Sequence, residues 1–381
     1  MPARRPTDER GMALAVTLFA LVVIGALVAG TFFAGRLEQQ SGQNTFFVGQ
    51  AAEAAEAGLS EAIANTPALT LDALPVGSPP IDLGTLAVGA KLSSSRQASR
   101  LTSGVFLIRS LGTRQDAGGT PLATRTVGSL TRLITAGISI NAGLSALGDV
   151  VVTGNATVSG TDATPTSWLE PPAVSCPAPQ DKIGIRYNGT LTKSGSSTVT
   201  GNPASELDPS LNAANIFGSS TFEELKKLRT LTLPGDISGL AAAVTGTPPV
   251  CHTALENNWG APTDRASPCF NYFPVIYRYG DLSLSGSGNG QGILLVEGNL
   301  NAQGRIDFYG PVIVTGAVYV RGTGSDDVKF YGGIIARDVA LDDSRLSGNA
   351  TVNYSSCAIR RALRGSATLQ PLGERGWIQL Y

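Results

Sequence analysis

The feature that most constrains this chain is an uncharged apolar stretch near its N-terminus, from Met12 to Phe33. As an α-helix the stretch would be about 33 Å long, which is enough to cross the hydrocarbon core of a bilayer. Arg4, Arg5 and Arg10 precede it, and short positively charged tails stay on the cytoplasmic side of a membrane. We therefore expect a single-pass membrane helix with nearly everything after it outside the cytoplasm.

A cleaved secretory signal is the competing interpretation of the same stretch. Such signals have an apolar region of about 7–15 residues that ends in a small-residue cleavage site. Here the apolar stretch is longer, and the alanines of Ala26-Leu-Val-Ala29 have the wrong spacing for that site. The sequence favours a retained helix.

The helical pattern continues beyond the membrane stretch. Residues 36–64 contain no proline, and Pro67 ends the pattern, because its ring cannot continue a helix. At helical spacing, one face is apolar and a second face beside it is polar; the apolar residues are Ala52, Ala55, Leu59 and Ile63, and the polar residues are Glu53, Glu56 and Ser60. We predict one helix over 12–64.

Three features stand together in the N-terminal sixth of the chain, namely Arg10-Gly11-Met12-Ala13-Leu14, the apolar stretch and Gln50-Ala-Ala-Glu-Ala-Ala-Glu-Ala-Gly58. At this spacing they resemble the N-terminal domain of PilX-type type IV pilus assembly proteins. It implies a leader over 1–11 that is removed after Gly11, so that Met12 becomes the N-terminus. It also implies a bacterial inner-membrane location, possible incorporation in a pilus, and partners among other pilin-like subunits and the assembly machinery. The helix through Glu53, Glu56 and Leu59 would pack against those partners.

Val16 departs from the pilin pattern. Most pilins carry a glutamate at the fifth mature position, where it neutralises the terminal amine of a neighbouring subunit, and that position here is Val16. The resemblance therefore implies a minor pilin and not a bulk fibre subunit.

Composition limits the exported region to a few classes. The net charge is −1 and 15% of the residues are charged, so no basic stripe is present for nucleic acid. The 381 residues exceed one ordinary core, which favours two packed units besides the helix. The 46 glycines and 22 prolines indicate short strands and turns. We expect an α+β chain that is mainly β.

Residues 65–140 predict a linker followed by a β-hairpin. The Pro- and Gly-rich stretch 65–95 is expected to form loops. Two runs with alternating apolar residues, 104–113 and 123–135, are joined by the turn-rich segment 114–122, which is typical of a hairpin.

Residues 141–381 predict a β-solenoid with a loop-rich insertion at 161–279. Short apolar cores recur at separations of about 16 to 22 residues, and a period near 20 is typical of stacked coils. Phe308-Tyr309-Gly310 and Phe330-Tyr331-Gly332 occupy equivalent places in two repeats, so successive coils are expected to stack them. A β-sandwich is the alternative.

Four scattered cysteines in an exported chain favour disulfides. Cys251 and Cys269 lie in one Pro- and Asn-rich stretch, which favours a local bridge and leaves Cys176 with Cys357. Buried free thiols are the alternative. The spacing matches no zinc motif, and we expect neither a metal nor a cofactor.

Few residues offer catalytic chemistry. His252 is the single imidazole, and it lacks the motif of a nucleophile elbow. The pairs Asp326-Asp327 and Asp342-Asp343 lie in predicted turns, where aspartate is common, although calcium binding or glycoside cleavage would use similar pairs. We therefore expect no enzyme. The alternatives are an anchored envelope scaffold or adhesin with a self-associating solenoid and a tethered carbohydrate-active enzyme.

Overall fold

The chain begins with one long helix. The computed structural model describes residues 10–166, 176–218, 220–322, 327–336, 344–347, 349–373 and 376–380. Helix α1 (Arg10–Asn65) is continuous over 56 residues, which makes it about 84 Å long. Every residue from Met12 to Phe46 is exposed, and beyond Phe46 one side of the helix is covered. The prediction of a long N-terminal helix followed by a mostly β region is confirmed.

An antiparallel sheet packs against the second half of α1. Its first four strands are consecutive neighbours, namely β1 (Ile81–Gly89), β2 (Leu92–Arg100), β3 (Val105–Gln115) and β4 (Pro121–Ile134). β3 and β4 form the predicted hairpin. The prediction of loops over 65–95 is wrong, because this stretch contains a short helix α2 (Ala68–Asp72), β1 and the start of β2. The polar strand β2 forms because its whole length pairs with β3.

The C-terminus returns to the same sheet. Strands β26 (Thr368–Pro371) and β27 (Trp377–Leu380) both pair with β4 in antiparallel fashion. The predicted unit 141–381 is therefore corrected, since its last strands complete the first sheet. Everything between β4 and β26 is inserted into that sheet's connectivity.

The inserted region consists mainly of short parallel strands in three stacks. Stack 1 runs in space through β12 (Leu231–Leu233), β16 (Val275–Tyr279), β19 (Ile293–Glu297), the second halves of β21 (Arg305–Val314) and β23 (Val328–Ala336), β5 (Ala142–Ala146), β8 (Ile183–Tyr187) and β11 (Ser205–Leu207). Stack 2 runs through β18 (Ser287–Gln291), the first halves of β21 and β23, β25 (Ala350–Tyr354), β7 (Thr157–Ser159) and β10 (Thr198–Thr200). Stack 3 runs through β13 (Ile237–Ser238), β17 (Leu282–Ser285), β20 (Leu300–Gln303), β22 (Val318–Arg321), β24 (Ser344–Ser347), β6 (Val150–Val152) and β9 (Leu191–Lys193).

The order of the strands in space differs from their order in the chain. The chain enters at β5, moves outward through β8 to β11, and crosses to the opposite end at β12. It then returns coil by coil until β23 and β25 pair with β5 and β7. The predicted insertion 161–279 is therefore corrected, because it supplies strands at both ends of the stacks.

Apolar side chains fill the space between the three stacks. Phe308 and Phe330 lie in register on adjacent strands with ring centroids 6.4 Å apart. Outside them, the rings of Tyr309 and Tyr331 stack at 4.8 Å. The predicted stacking of the two Phe-Tyr-Gly segments is thus confirmed. Trp259 is fully buried and meets Phe308 edge-on at 5.9 Å, so it fills the core near the β12 end.

Two short helices and a hairpin complete the fold. Helix α3 (Phe222–Lys227) begins with a capping box formed by Thr221 and Glu224. Helix α4 (Ser356–Gly365) packs against β21, β23 and α2, so it joins the parallel region to the base of α1. Strands β14 (Val244–Thr245) and β15 (Val250–Cys251) form an antiparallel hairpin.

Candidate functional surfaces

The N-terminal part of α1 presents an apolar surface to its surroundings. Within the described part of the chain, one helix is long and apolar enough to cross a membrane, and the most apolar window of that helix has no buried residue. Gly11 and Met12 lie in its first turn, and the Met12 side chain is 73% exposed. The leader residues 1–9 lie outside the described residues, so cleavage after Gly11 stays a prediction.

The three predicted packing residues lie in the second half of α1, where one of them is buried and two are exposed. Leu59 is buried with Ala55 against Phe106 and Ile108 of the antiparallel sheet. Glu53 and Glu56 are exposed on the side that does not contact the sheet. Leu59 therefore packs within its own chain, and the contact of Glu53 and Glu56 with partner helices stays a prediction.

Small residues bring α1 very close to the sheet. A Cβ atom on Gly58 would lie 1.8 Å from Ser94 Oγ, and one on Gly112 would lie 2.0 Å from the Ala51 carbonyl oxygen. Ser94 Oγ also lies 2.6 Å from Ser110 Oγ, so these buried hydroxyls satisfy each other. The second half of α1 and the sheet are therefore packed closely against each other.

Charged residues link this unit to α4. Arg364 Nη1 lies 3.0 Å from Asp72 Oδ1, and Arg100 Nη1 donates to the Asp72 carbonyl oxygen at 2.8 Å. Asp72 ends α2, so one residue holds α1's sheet and α4 together.

The structure pairs the four cysteines. Cys251 at the end of β15 is bonded to Cys269, 18 residues further along the chain, which ties the β14–β15 hairpin to the following loop. Cys176 is bonded to Cys357 in the first turn of α4. Asp162 supports the same region, because its carboxylate accepts hydrogen bonds from Ser356 N at 2.9 Å and Gln180 N at 2.8 Å.

The outer side of stack 2 is polar, although Gln291 and Tyr309 are buried there. Strand alternation directs every second side chain outward, and paired positions on adjacent strands align into two rows. The first row is Asn289, Asp307, Lys329, Thr351, Thr157 and Thr198, and the second is Gln291, Tyr309, Tyr331, Asn353, Ser159 and Thr200.

A cleft opens at the two tyrosines. Its volume is about 290 Å³, and it is lined by Tyr309, Tyr331, Thr263 and residues 163–166. Asn289 Nδ2 donates to Thr263 Oγ1 at 3.2 Å, which connects this wall to the first polar row. The sequence did not single out this cleft, although polar residues at alternate positions of β18, β21, β23 and β25 are a usable signal.

Asp307 lies in the first row beside this cleft. Burial raises its pKa, against the opposing effect of Lys329. Lys329 Nζ lies 3.2 Å from Asp327 Oδ2. Burial likewise raises the pKa of Tyr331. Asp307 is therefore a partly desolvated carboxyl group in a row whose other members, apart from Lys329, are neutral donors and acceptors.

The structure describes two of the catalytic candidates, His252 and Asp327. The His252 backbone is bound to the Ala243 carbonyl oxygen and to Asn258 Nδ2, which makes His252 part of the disulfide-closed loop. Asp326, Asp342 and Asp343 lie outside the described residues, and Asp327 pairs with Lys329. Across the described ranges, no group of three His, Cys, Asp or Glu residues is arranged to hold a metal ion.

No protein-family model matches the sequence, and no curated protein matches it. Among solved structures, the chain is similar to the competence-associated pilin ComZ from Thermus thermophilus. The identity is 13%, the match covers 88% of this chain and 98% of that chain, and the TM-score is 0.25. A TM-score this low carries no weight for fold or function.

Proposed function

We propose that this chain is a non-enzymatic, minor pilin-like component of type IV pilus assembly. Helix α1 anchors it in a bacterial inner membrane as a single pass, and the β-rich region lies outside the cytoplasm. The observation that carries the proposal is the continuity of α1, whose exposed apolar half extends without a break into a half that packs on a sheet. This arrangement supports a helix that moves from the membrane into an assembly together with its head.

Under this proposal, the chain's binding partners are other pilin-like subunits and the pilus assembly machinery. Their helices would contact the exposed side of α1, which includes Glu53 and Glu56. The parallel stacks, with coils that repeat every 18 or 22 residues along β16–β23, support a β-solenoid that is presented to the outside.

N-terminal sequencing of the membrane-extracted protein tests the proposal. We expect the mature chain to begin at Met12, and we expect Gly11→Glu to leave the leader in place as a slower band on a gel. Gly25→Ala is the matched control, since a Cβ there meets nothing within 4 Å. A native chain that begins at Met1, or beyond residue 29, would contradict processing as a pilin.

A permanently anchored envelope scaffold is the second candidate. It is favoured by the end of the stacks at β9 and β11, where each strand pairs on one side with described residues. Open strand edges are able to pair with another chain. This candidate requires an uncleaved N-terminus and concentration-dependent association of the extracted protein, so the same sequencing experiment separates the two functions.

A further inference from the structure

The carboxyl group of Asp307, on the polar outer side of stack 2, accepts no hydrogen bond from the described residues. Asp307 is half-buried, and its side chain forms neither a hydrogen bond nor an ion pair within 4 Å with any residue that the structure describes. Lys329, its cross-strand neighbour, is instead bonded to Asp327. A carboxylate that has lost part of its hydration and lacks a donor gains from a ligand that supplies one.

The cleft beside Asp307 provides the rest of a small binding site. Tyr331 offers a hydroxyl group and a ring edge, while Thr164, Thr166 and Thr263 offer hydroxyl groups from the two walls. The volume of about 290 Å³ lies at the lower limit for small-molecule sites. Both walls are held in place, one by Asn289 and the other by Asp162.

We infer that the cleft at Tyr331 and the polar row through Asp307 bind a neutral oligosaccharide by its hydroxyl groups. Sugar hydroxyls donate and accept at once, so they match a row of amide and hydroxyl groups in which Asp307 lacks a donor and Lys329 is paired with Asp327. Parallel strands repeat these groups about every 4.8 Å, which suits a ligand with repeating units.

Other ligand classes fit this surface less well. Nucleic acid requires a cationic stripe, whereas Asp307 and Asp327 offset Lys329 here. A peptide that adds as a strand requires a free sheet edge, but the strands at the cleft, β21 and β23, have partners on both sides. The inference does not depend on leader cleavage, since it concerns only the exported region.

Direct binding to the full chain in detergent micelles tests the inference. The probes are chitotetraose, maltohexaose, polygalacturonate and a double-stranded DNA oligonucleotide, each titrated calorimetrically. We expect saturable binding of at least one of the two neutral oligosaccharides. Asp307→Asn should weaken that binding tenfold or more, and Tyr331→Phe should weaken it several-fold.

The control is Glu206→Gln, which makes the equivalent change at an exposed carboxylate of β11 and should leave binding unchanged. Equal melting temperatures of the variants would show that the fold is intact. The inference is overturned if neither neutral oligosaccharide binds, or if binding survives Asp307→Asn unchanged. Binding of polygalacturonate or DNA alone, strengthened by Asp307→Asn, would also overturn it.

Discussion

The close packing of α1 on its sheet requires a residue without a side chain at Gly58. A methyl group there would lie 2.5 Å from Ser94 Cβ, so Gly58→Ala must push the helix away from the sheet or force Ser94 to move. Overpacking of this kind costs about 1–3 kcal/mol. We expect a clear fall in the melting temperature of the detergent-solubilised protein, measured by circular dichroism.

Gly49 provides the control for this change on the same helix. A Cβ at Gly49 meets nothing within 4 Å, and alanine is the better helix former by about 1 kcal/mol. Gly49→Ala should therefore keep or raise the melting temperature. Equal effects of the two substitutions would show that Gly58 is not a packing residue.

A second residue-scale prediction concerns the carboxylate that attaches α3 to stack 1. Lys226 Nζ lies 2.7 Å from Glu297 Oε2, and Tyr277 donates a hydrogen bond to the same oxygen. Lys226 and then Tyr277 hold the pKa of Glu297 below its ordinary value of 4.5. A group with a lowered pKa contributes stability above its unfolded pKa, and that stability is lost as the pH falls through the folded pKa.

We therefore expect the native chain to be more stable than Glu297→Gln at pH 7. The difference should shrink as the pH falls below about 4.5 and disappear below the folded pKa of Glu297. Urea midpoints measured at a series of pH values check this, with Glu206→Gln as a control that should follow the native curve. A difference that stays constant down to pH 3 would contradict the role of Glu297.

Residue-scale features could be predicted where the sequence repeats. Phe308 and Phe330 lie 22 positions apart in matching segments, so their stacking followed from one coil length. Asp307 was not predicted as a site residue, because its neighbours come from other coils. The sequence alone shows that Asp307 is a polar residue at an outward position of a strand. That it lacks a hydrogen-bond donor becomes visible only once the neighbouring strands are in place.

At the scale of elements, a long element with a uniform residue pattern could be predicted, whereas short elements could not. The sequence of helix α1 contains no proline and has a helical pattern over most of its length. Strands β1 and β2 have weak patterns of their own and form through pairing with β3. Helix α4 was missed although it carries signals, since Ser355 caps it by accepting from Ala358 N, and Arg364 and Gly365 end it.

The Cys251–Cys269 bond gives an element-scale prediction for the β14–β15 hairpin. The two cysteines are 18 residues apart, and closing a loop of that length stabilises a fold by about 3 kcal/mol. The hairpin has two paired residues on each strand, so little else holds it. Cys251→Ser with Cys269→Ser should make residues 241–262 much more sensitive to thermolysin, with the cleavage sites identified by mass spectrometry.

The second disulfide supplies the matched control for this experiment. Cys176→Ser with Cys357→Ser removes the other bond, which holds α4, and should leave the hairpin's cleavage rate unchanged. Equal protection of the hairpin in both double variants would contradict the stabilising role assigned to Cys251 and Cys269.

At the scale of the whole molecule, the chain's route through the stacks could not be predicted from its repeats. Each coil can bury its apolar side against any coil of the same width. The repeats therefore predict that coils stack, but they do not predict which coils are neighbours. The contact between β5 and β23 joins segments that are distant in sequence, and nothing local in either strand specifies it. The predicted insertion at 161–279 failed for this reason, because its strands join the stacks at both ends.

The topology also predicts that the parallel region can be removed. Strand β4 ends at Ile134, which is paired in register with Thr368 at the start of β26. The inserted region therefore leaves and rejoins the antiparallel sheet at adjacent positions. Replacing residues 135–367 with Asn-Gly should convert β4 and β26 into an ordinary two-residue hairpin.

The shortened chain should fold, because the core of Leu59, Phe106 and Ile108 against α1 is retained. It should be less stable than the full chain, since Asp72 loses its ion pair with Arg364 and Leu69 loses its apolar neighbours in the inserted region. Hydrogen exchange in detergent would show protected amides in β2, β3 and β4. A chain cut at Ile134 is the control, and it should exchange faster in β4 because β26 and β27 are both absent. If β4 is unprotected in the shortened chain as well, the antiparallel sheet requires the inserted region in order to fold, and the two regions form one cooperative unit.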